Sequence, residues 1–144
     1  MLLSVHAACD RGLVRANNED MILAAGRFLR DAVFDEILDT RDVRAPFFAV
    51  ADGLGGAAAG EEASEAALRI FLAAVESLRP ESGAEELKAF FSALTDAAHA
   101  ALTRAGREDP RRRGMGTTLT AFLEYGGRWY WFHAGDSRAY LVRA

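Results

Sequence analysis

The sequence predicts an α+β domain in which a pair of consecutive helices lies against antiparallel sheet. Three observations carry this. Short apolar or alternating runs bounded by breakers recur before residue 55 and after residue 116. Between them, two segments change to a three-and-four-residue apolar period. The later strands follow one another through glycine turns, which suits hairpins rather than crossovers.

Leu2 to Cys9 reads as a first strand, with Leu3, Val5 and Ala7 on one face. Asp10-Arg11-Gly12 breaks it, and a stretch dense in charge and amide follows, Leu13 to Asp20. Met21 to Ala25 is a short apolar run that reads as a second strand. Gly26 to Ala45 shows no clear period; a hairpin, a short helix and a long loop all fit it. Pro46 ends that stretch, and Phe47-Phe48-Ala49-Val50-Ala51 reads as a buried strand with Asp52 at its end.

From Gly60 the period is helical, with Ala63, Ala66, Ala67, Ile70, Ala74 and Leu78 in one stripe. Alanine favours helix, and Glu61, Glu62 and Glu65 suit the positive end of the helix dipole. Pro80 and Gly83 separate this from a second helix, Ala84 to Ala105, striped by Leu87, Phe90, Phe91, Leu94, Ala98 and Ala101. Gly106 is expected to stop it. Arg107 to Arg113 reads as a polar loop around Pro110. Thr117 to Tyr125 then reads as a strand, Gly126-Gly127 as a hairpin turn, and Arg128 to Ala134 as its partner. Trp129, Trp131 and His133 alternate there with Tyr130 and Phe132, so both faces are expected to be covered. Ser137 to Val142 reads as a third strand.

At 144 residues and 51% hydrophobic content the chain is large enough for one domain with its own core. A net charge of −4 argues against nucleic acid as a partner. The single cysteine, Cys9, leaves no internal disulfide and no thiolate zinc site. No apolar run approaches the ~20 residues of a membrane span, and the N-terminus has no signal-peptide pattern. A cytoplasmic protein without membrane contact is the expectation.

Three acidic turn sites stand out: Glu19-Asp20, Asp52-Gly53 and Gly135-Asp136. Each falls at an expected strand end, where loops distant in sequence can converge. Gathered carboxylates repel one another, and a divalent cation relieves that. Carboxylate, backbone carbonyl and water select magnesium or manganese over zinc or copper. Arg15, close to Glu19, suits two-pronged binding of a phosphate. Together these residues point to metal-assisted phosphoryl chemistry.

Plainer readings compete at each position. Asp and Gly are common in turns for conformational reasons alone. Arg107, Arg111, Arg112 and Arg113 fit a solvated loop better than a docking patch. His6, His99, His133 and Cys9 fit structural roles. Gly53-Leu54-Gly55-Gly56-Ala57-Ala58 matches a dinucleotide-binding glycine pattern. However, Asp52 would place a negative charge beside the pyrophosphate, and a second helix stands where that fold needs a parallel strand.

Taken together, four segments resemble the bacterial branch of the type 2C metal-dependent serine/threonine protein phosphatases (the PPM family), in the family's order. They are Asp10-Arg11-Gly12-Leu13-Val14-Arg15-Ala16-Asn17-Asn18-Glu19-Asp20; Val50-Ala51-Asp52-Gly53-Leu54-Gly55-Gly56 with Ala59-Gly60-Glu61; Gly114-Met115-Gly116-Thr117-Thr118; and His133-Ala134-Gly135-Asp136-Ser137-Arg138-Ala139-Tyr140-Leu141. The resemblance implies an α-β-β-α sandwich of two antiparallel sheets flanked by helix pairs. Residues 1–144 would be a single, partial domain of that kind. It implies a centre of two manganese or magnesium ions and a third, weaker one. By matching position, Asp52 would bridge two ions, Gly53 would lend its carbonyl, Glu19 would serve the second ion and Asp20 would support it. Asp136 would serve the third ion, and Arg15 would hold the phosphate. A metal-bridging water would attack phosphoserine or phosphothreonine directly.

Two departures from the family pattern matter. Leu54 stands where some eukaryotic relatives carry a histidine proposed as general acid. The family's later S-D-G and D-N metal motifs do not occur in the 144 residues. The expectation is therefore an N-terminal part of a phosphatase domain with an incomplete site, weak or single-ion metal binding and little activity of its own. Its uncovered sheet would offer a route to a dimer. Its substrates would be phosphorylated proteins, opposing a bacterial Ser/Thr kinase. The alternative is a non-catalytic, phosphatase-like binding or regulatory module.

Overall fold

The computed structural model describes residues 1–41, 43, 45–55, 59–78 and 83–143. Two antiparallel sheets are present. The smaller pairs β1 (Leu2–Cys9) with β4 (Ala32–Asp39). The larger has the order β3-β2-β5-β7-β8, built from β2 (Asp20–Ala24), β3 (Arg27–Leu29), β5 (Phe47–Leu54), β7 (Leu119–Tyr125) and β8 (Arg128–Ala134). A two-residue strand β6 (Gly116–Thr117) extends it by pairing with Gly53 and Leu54 of β5. Helices α1 (Ala59–Glu76) and α2 (Ala84–Glu108) follow one another between β5 and β6. This is the expected α+β antiparallel sandwich with a helix pair on the larger sheet. A helical layer over the smaller sheet is not among the described residues.

Strand alternation decides which face meets which layer. On one face of the larger sheet Met21, Leu23, Phe47, Ala49, Ala51, Ala121 and Leu123 are buried. They form one core with Leu68, Phe71 and Val75 of α1 and Leu87, Phe91 and Ala98 of α2. The alanines at 49 and 51 keep β5 thin, which lets α1 lie close over it. On the other face, Ile22 and Phe48 pack with Ala24, Leu29 and Phe34, and with Val5 and Ala7 of the smaller sheet. β1 turns its faces as expected, with Cys9 buried and Leu3, Val5 and Ala7 half-buried, while Leu2, Ser4 and His6 are exposed.

Several elements differ from the sequence reading. The open stretch from Gly26 to Ala45 resolves into β3 and β4. Its period is obscured because β4 exposes Val33 and Ile37 on one face while burying Phe34 on the other, so apolar residues stand on both sides. The buried stripe of α1 is rotated from the expected one. It runs through Ala63, Ser64, Ala67, Leu68, Phe71 and Val75, and leaves Ala66, Ile70 and Ala74 only half-buried. Alanines occupy both faces of this helix, so they do not mark the core side.

Helix α2 starts where expected: Gly83 N–H donates to the Glu86 carboxylate at 3.1 Å and Leu87 N–H to Gly83 O at 3.0 Å. It continues two residues past Gly106, to Glu108, and ends before Pro110. The expected separator Pro80 lies outside the described residues.

The Gly126-Gly127 turn is as read. Tyr125 pairs with Arg128, leaving two loop residues with φ of 60° and 74°, the left-handed pair that a tight hairpin requires. Both faces of β8 are not covered, however. Phe132 stacks on Phe91 of α2, but Trp129 and Trp131 are 44% and 58% exposed. Ser137 to Val142 forms no strand, because it pairs with no neighbour among the described residues.

Candidate active site

Asp20 and Asp52 face one another across β2 and β5, as register partners at the end of that ladder. Asp52 is not the last residue of its strand. The strand runs on to Leu54, because β6 supplies a partner for Gly53 and Leu54. Asp52 reaches solvent through alternation instead: Val50, Asp52 and Leu54 are exposed while Ala51 and Gly53 are buried.

The main chain at Asp52 is held from both sides by two threonines. Its N–H donates to Thr118 Oγ1 at 3.0 Å, and its carbonyl accepts from Thr118 N at 2.9 Å and from Thr117 Oγ1 at 2.9 Å. These residues are the end of the Gly114-to-Thr118 segment. Strand pairing and side-chain hydrogen bonding explain why threonines stand there.

The Asp20 and Asp52 side chains stand beside one another across the ladder. Burial, then the Asp52 charge, then hydrogen bonding between the two carboxyls raise the pKa of Asp20 above the ordinary 3.8; Glu19 adds to the rise and Arg30 opposes it. Two carboxyls thus share one site without enough positive charge to balance them. Raising the folded-state pKa means that the folded chain holds the proton more tightly than the unfolded chain. Stability is therefore expected to fall as pH rises from 3.8 through the raised value of Asp20. Manganese should raise the Tm of the chain more at pH 7 than at pH 4, which thermal melts with and without the ion will check. An equal shift at both pH values would mean that the carboxyl pair does not bind it.

The surrounding loop is positioned by residues that carry no catalytic signature in sequence. Buried Asn18 donates to Cys9 Sγ at 3.3 Å and Asp31 Oδ1 at 2.9 Å, and its Oδ1 accepts from Asp20 N at 3.0 Å. Ser64, fully buried in α1, donates to Glu19 O at 2.7 Å. Arg30 joins both sides. Its Nε donates to Asp20 O at 3.1 Å, and one terminal nitrogen donates to Glu61 O at 2.8 Å and Ser64 Oγ at 3.2 Å. Removing the Ser64 hydroxyl takes away one of the two donors to the Glu19 carbonyl and leaves Gly53 N–H at 3.2 Å. Ser64→Ala should cost about 0.5–1.5 kcal/mol, read from urea denaturation midpoints, and loosen the Glu19-Asp20 loop.

These elements enclose a cleft of about 450 Å³ lined by Asp10, Arg11, Arg15, Glu19, Asp20 and Asp52, among others. The structure therefore brings together Arg15, Glu19, Asp20 and Asp52. It does not bring Asp136 into that cleft. Asp136 is exposed on the turn after β8, and its neighbour Ser137 places Oγ 2.7 Å from Thr118 Oγ1. Leu54 is 70% exposed and does not line the cleft.

The donor chemistry suits a hard divalent cation, since two adjacent carboxyls with one raised pKa are relieved by one. No group of three or more His, Cys, Asp and Glu side chains is gathered for a metal among the described residues. The Glu19 side chain lies against Gly60, whose added Cβ would stand 2.7 Å from Glu19 Cδ. The carboxyls that stand as neighbours across the ladder are thus Asp20 and Asp52.

A two-sheet antiparallel sandwich carrying a carboxylate pair and an arginine in one cleft defines the general class. Within it, residues 21–144 match the family model described as protein phosphatase 2C, and the chain belongs to that family. It is 39% identical over 143 residues to the serine/threonine protein phosphatase PstP of Mycobacterium tuberculosis (strain CDC 1551 / Oshkosh), covering 99% of this chain and 23% of that protein. It is 31% identical over 134 residues to the serine/threonine phosphatase stp of Listeria innocua, covering 93% of this chain and 48% of that protein. The catalytic domain of PstP in complex with two manganese ions superposes with a TM-score of 0.68 at 34% identity, covering 96% of this chain and 50% of that one. The chain therefore spans half or less of the length of these relatives. No helix among the described residues is long and apolar enough to cross a membrane.

Proposed function

We propose that residues 1–144 form part of one protein phosphatase domain that hydrolyses phosphoserine and phosphothreonine in proteins. The observation that carries this reading is the sharing of one cleft by the Asp20–Asp52 carboxyl pair and Arg15. Asp52, Asp20 and Glu19, with the Gly53 carbonyl, would hold manganese or magnesium. When bound, such an ion screens phosphate charge and acidifies water. Arg15 would hold the phosphoryl oxygens through its planar guanidinium, fixing the phosphorus against the carboxyl pair. Asn18, Ser64 and Arg30 keep the acidic loop in place during this. Leu54 donates no proton, so the leaving serine or threonine oxygen would take its proton from water.

Asp136 belongs to this proposal as a residue for a further, weaker ion, next in sequence to Ser137, which meets Thr118. Phosphoproteins made by a bacterial Ser/Thr kinase are the proposed substrates, in the cytoplasm. Exposed Trp129 and Trp131 offer the proposed face for dimer formation by this chain.

Manganese titration by calorimetry on the 144-residue chain, with phosphate release from a phosphothreonine peptide measured in the same samples, tests the reading. With only the Asp20–Asp52 pair assembled, weak single-ion binding and little release are expected from this chain, and manganese-dependent release from the longer protein. Tight binding of two ions with turnover by this chain would overturn the partial site. No manganese-dependent release by the longer protein would overturn the phosphatase reading in favour of a binding module.

A further inference from the structure

The four-arginine segment that reads as a solvated loop divides in two in the structure. Arg111 is held by Asp109, with its terminal nitrogen 2.8 Å from Asp109 Oδ2 and its main-chain N–H capped by Oδ1 at 3.0 Å. Arg112 Nε lies 2.6 Å from Glu62 Oε2 at the start of α1, a close ion pair without hydrogen-bond alignment. Arg107 and Arg113 have no carboxylate partner among the described residues. Both are exposed, and both line one groove of about 620 Å³ between the end of α2 and the following turn. His99 adds a third nitrogen group to its wall, Leu102 and Met115 supply apolar surface, and no carboxylate lines it.

The groove has a fixed frame. Gly106 brings α2 so close to the turn that an added Cβ would stand 2.8 Å from Arg112 O. Hydrogen bonds from Arg112 N to Asp109 O at 2.9 Å, from Arg113 N to Pro110 O at 3.3 Å and from Met115 N to Arg112 O at 3.1 Å hold the turn. Arg107 also complements the negative end of α2. Arg113, beyond that helix, has no such role. Net charge is −4 over the chain, so a groove walled by unpaired arginines runs against the overall balance. The chain runs from the groove to the frame of the cleft: two residues after Met115, the Thr117 hydroxyl donates to Asp52 O at 2.9 Å.

We infer that this groove docks an acidic polypeptide segment, its carboxylates on Arg107 and Arg113 and its aliphatic stems on Leu102 and Met115. That the segment is the flank of a phosphorylated substrate rests on the function proposed above; the docking itself does not. The probe is fluorescein-labelled hexaglutamate, titrated with the 144-residue chain at low salt without metal, with hexalysine as control. Hexaglutamate should bind and hexalysine should not. The Arg107→Glu/Arg113→Glu double variant should weaken hexaglutamate binding by at least about tenfold, while Arg128→Glu on the distant β7–β8 hairpin leaves it unchanged. Circular dichroism checks folding, and Arg113→Gln alone, away from the helix end, should still weaken binding if the double variant is destabilised. Failure of the intact chain to bind hexaglutamate, equal loss from Arg128→Glu, or unchanged affinity in both groove variants would overturn the inference. Failure of manganese-dependent phosphate release by the longer protein would leave docking intact and remove only its assignment to substrate.

Discussion

Gly53→Ala is expected to be the most damaging single substitution in the chain. A Cβ at this position would stand 2.0 Å from Gly60 O and 2.5 Å from Glu19 O, both backbone atoms that cannot swing aside. Gly53 N–H also donates to Glu19 O at 3.2 Å, so strand β5, the acidic loop and the start of α1 meet at one point. One methyl group would force β5 away from α1, or the Glu19 loop away from β5. Either movement pulls apart the Met21, Ala51 and Leu68 core beneath. A loss of about 3 kcal/mol or more is expected, at the upper end of single-residue effects. Urea denaturation of Gly53→Ala against the parent chain will measure it. A change below about 0.5 kcal/mol, the range of ordinary surface substitutions, would mean that strand and helix do not meet as described.

Asp52→Asn is expected to separate function from stability. The substitution removes one charge from the Asp20–Asp52 pair while keeping size and shape. Repulsion on Asp20 falls, so the metal-free chain should melt at a higher temperature and lose part of the pH dependence that begins at 3.8. The threonine clamp on the Asp52 main chain is untouched by the change. Manganese binding should be lost, and phosphate release by the longer protein should fall by at least about a hundredfold. Stabilisation together with loss of manganese binding is the pattern of a site that stores charge for a ligand. Unchanged manganese affinity would remove Asp52 from the metal site, whatever happened to the melting temperature.

Much of this molecule is legible in one dimension. The first strand, the apolar strand ending in Asp52-Gly53, both helices and the glycine hairpin are visible because each has its own local period or its own breaker. The family is visible too, because four short segments keep their residue types and order. Local signals fail where an element has apolar residues on both faces. That is why β4, exposing Val33 and Ile37 yet burying Phe34, and α1, with alanines all round, are read less well. They fail again for Ser137 to Val142, where a suitable sequence has no partner strand among the described residues.

The candidate site divides along the same line. Arg15, Glu19, Asp20, Asp52 and Gly53 were identifiable from residue type and motif, since carboxylates, glycine and arginine announce their chemistry locally. The roles of Asn18, Arg30, Ser64 and Thr118 were not, even though Asn18 and Thr118 stand in the matched segments, since each acts by a hydrogen bond that closes only when distant segments meet. Arg30 reaches Glu61 and Ser64 from thirty-one and thirty-four residues away. By itself the sequence determined the class of fold and the residues proposed to hold a cation and a phosphate. Only the tertiary structure decided which carboxylates become neighbours, that Asp136 stands outside their cleft, and that Arg107 and Arg113 have no carboxylate partner among the described residues. Charge and hydrogen-bond partnership are properties of distances between segments, and those distances exist only in the folded chain.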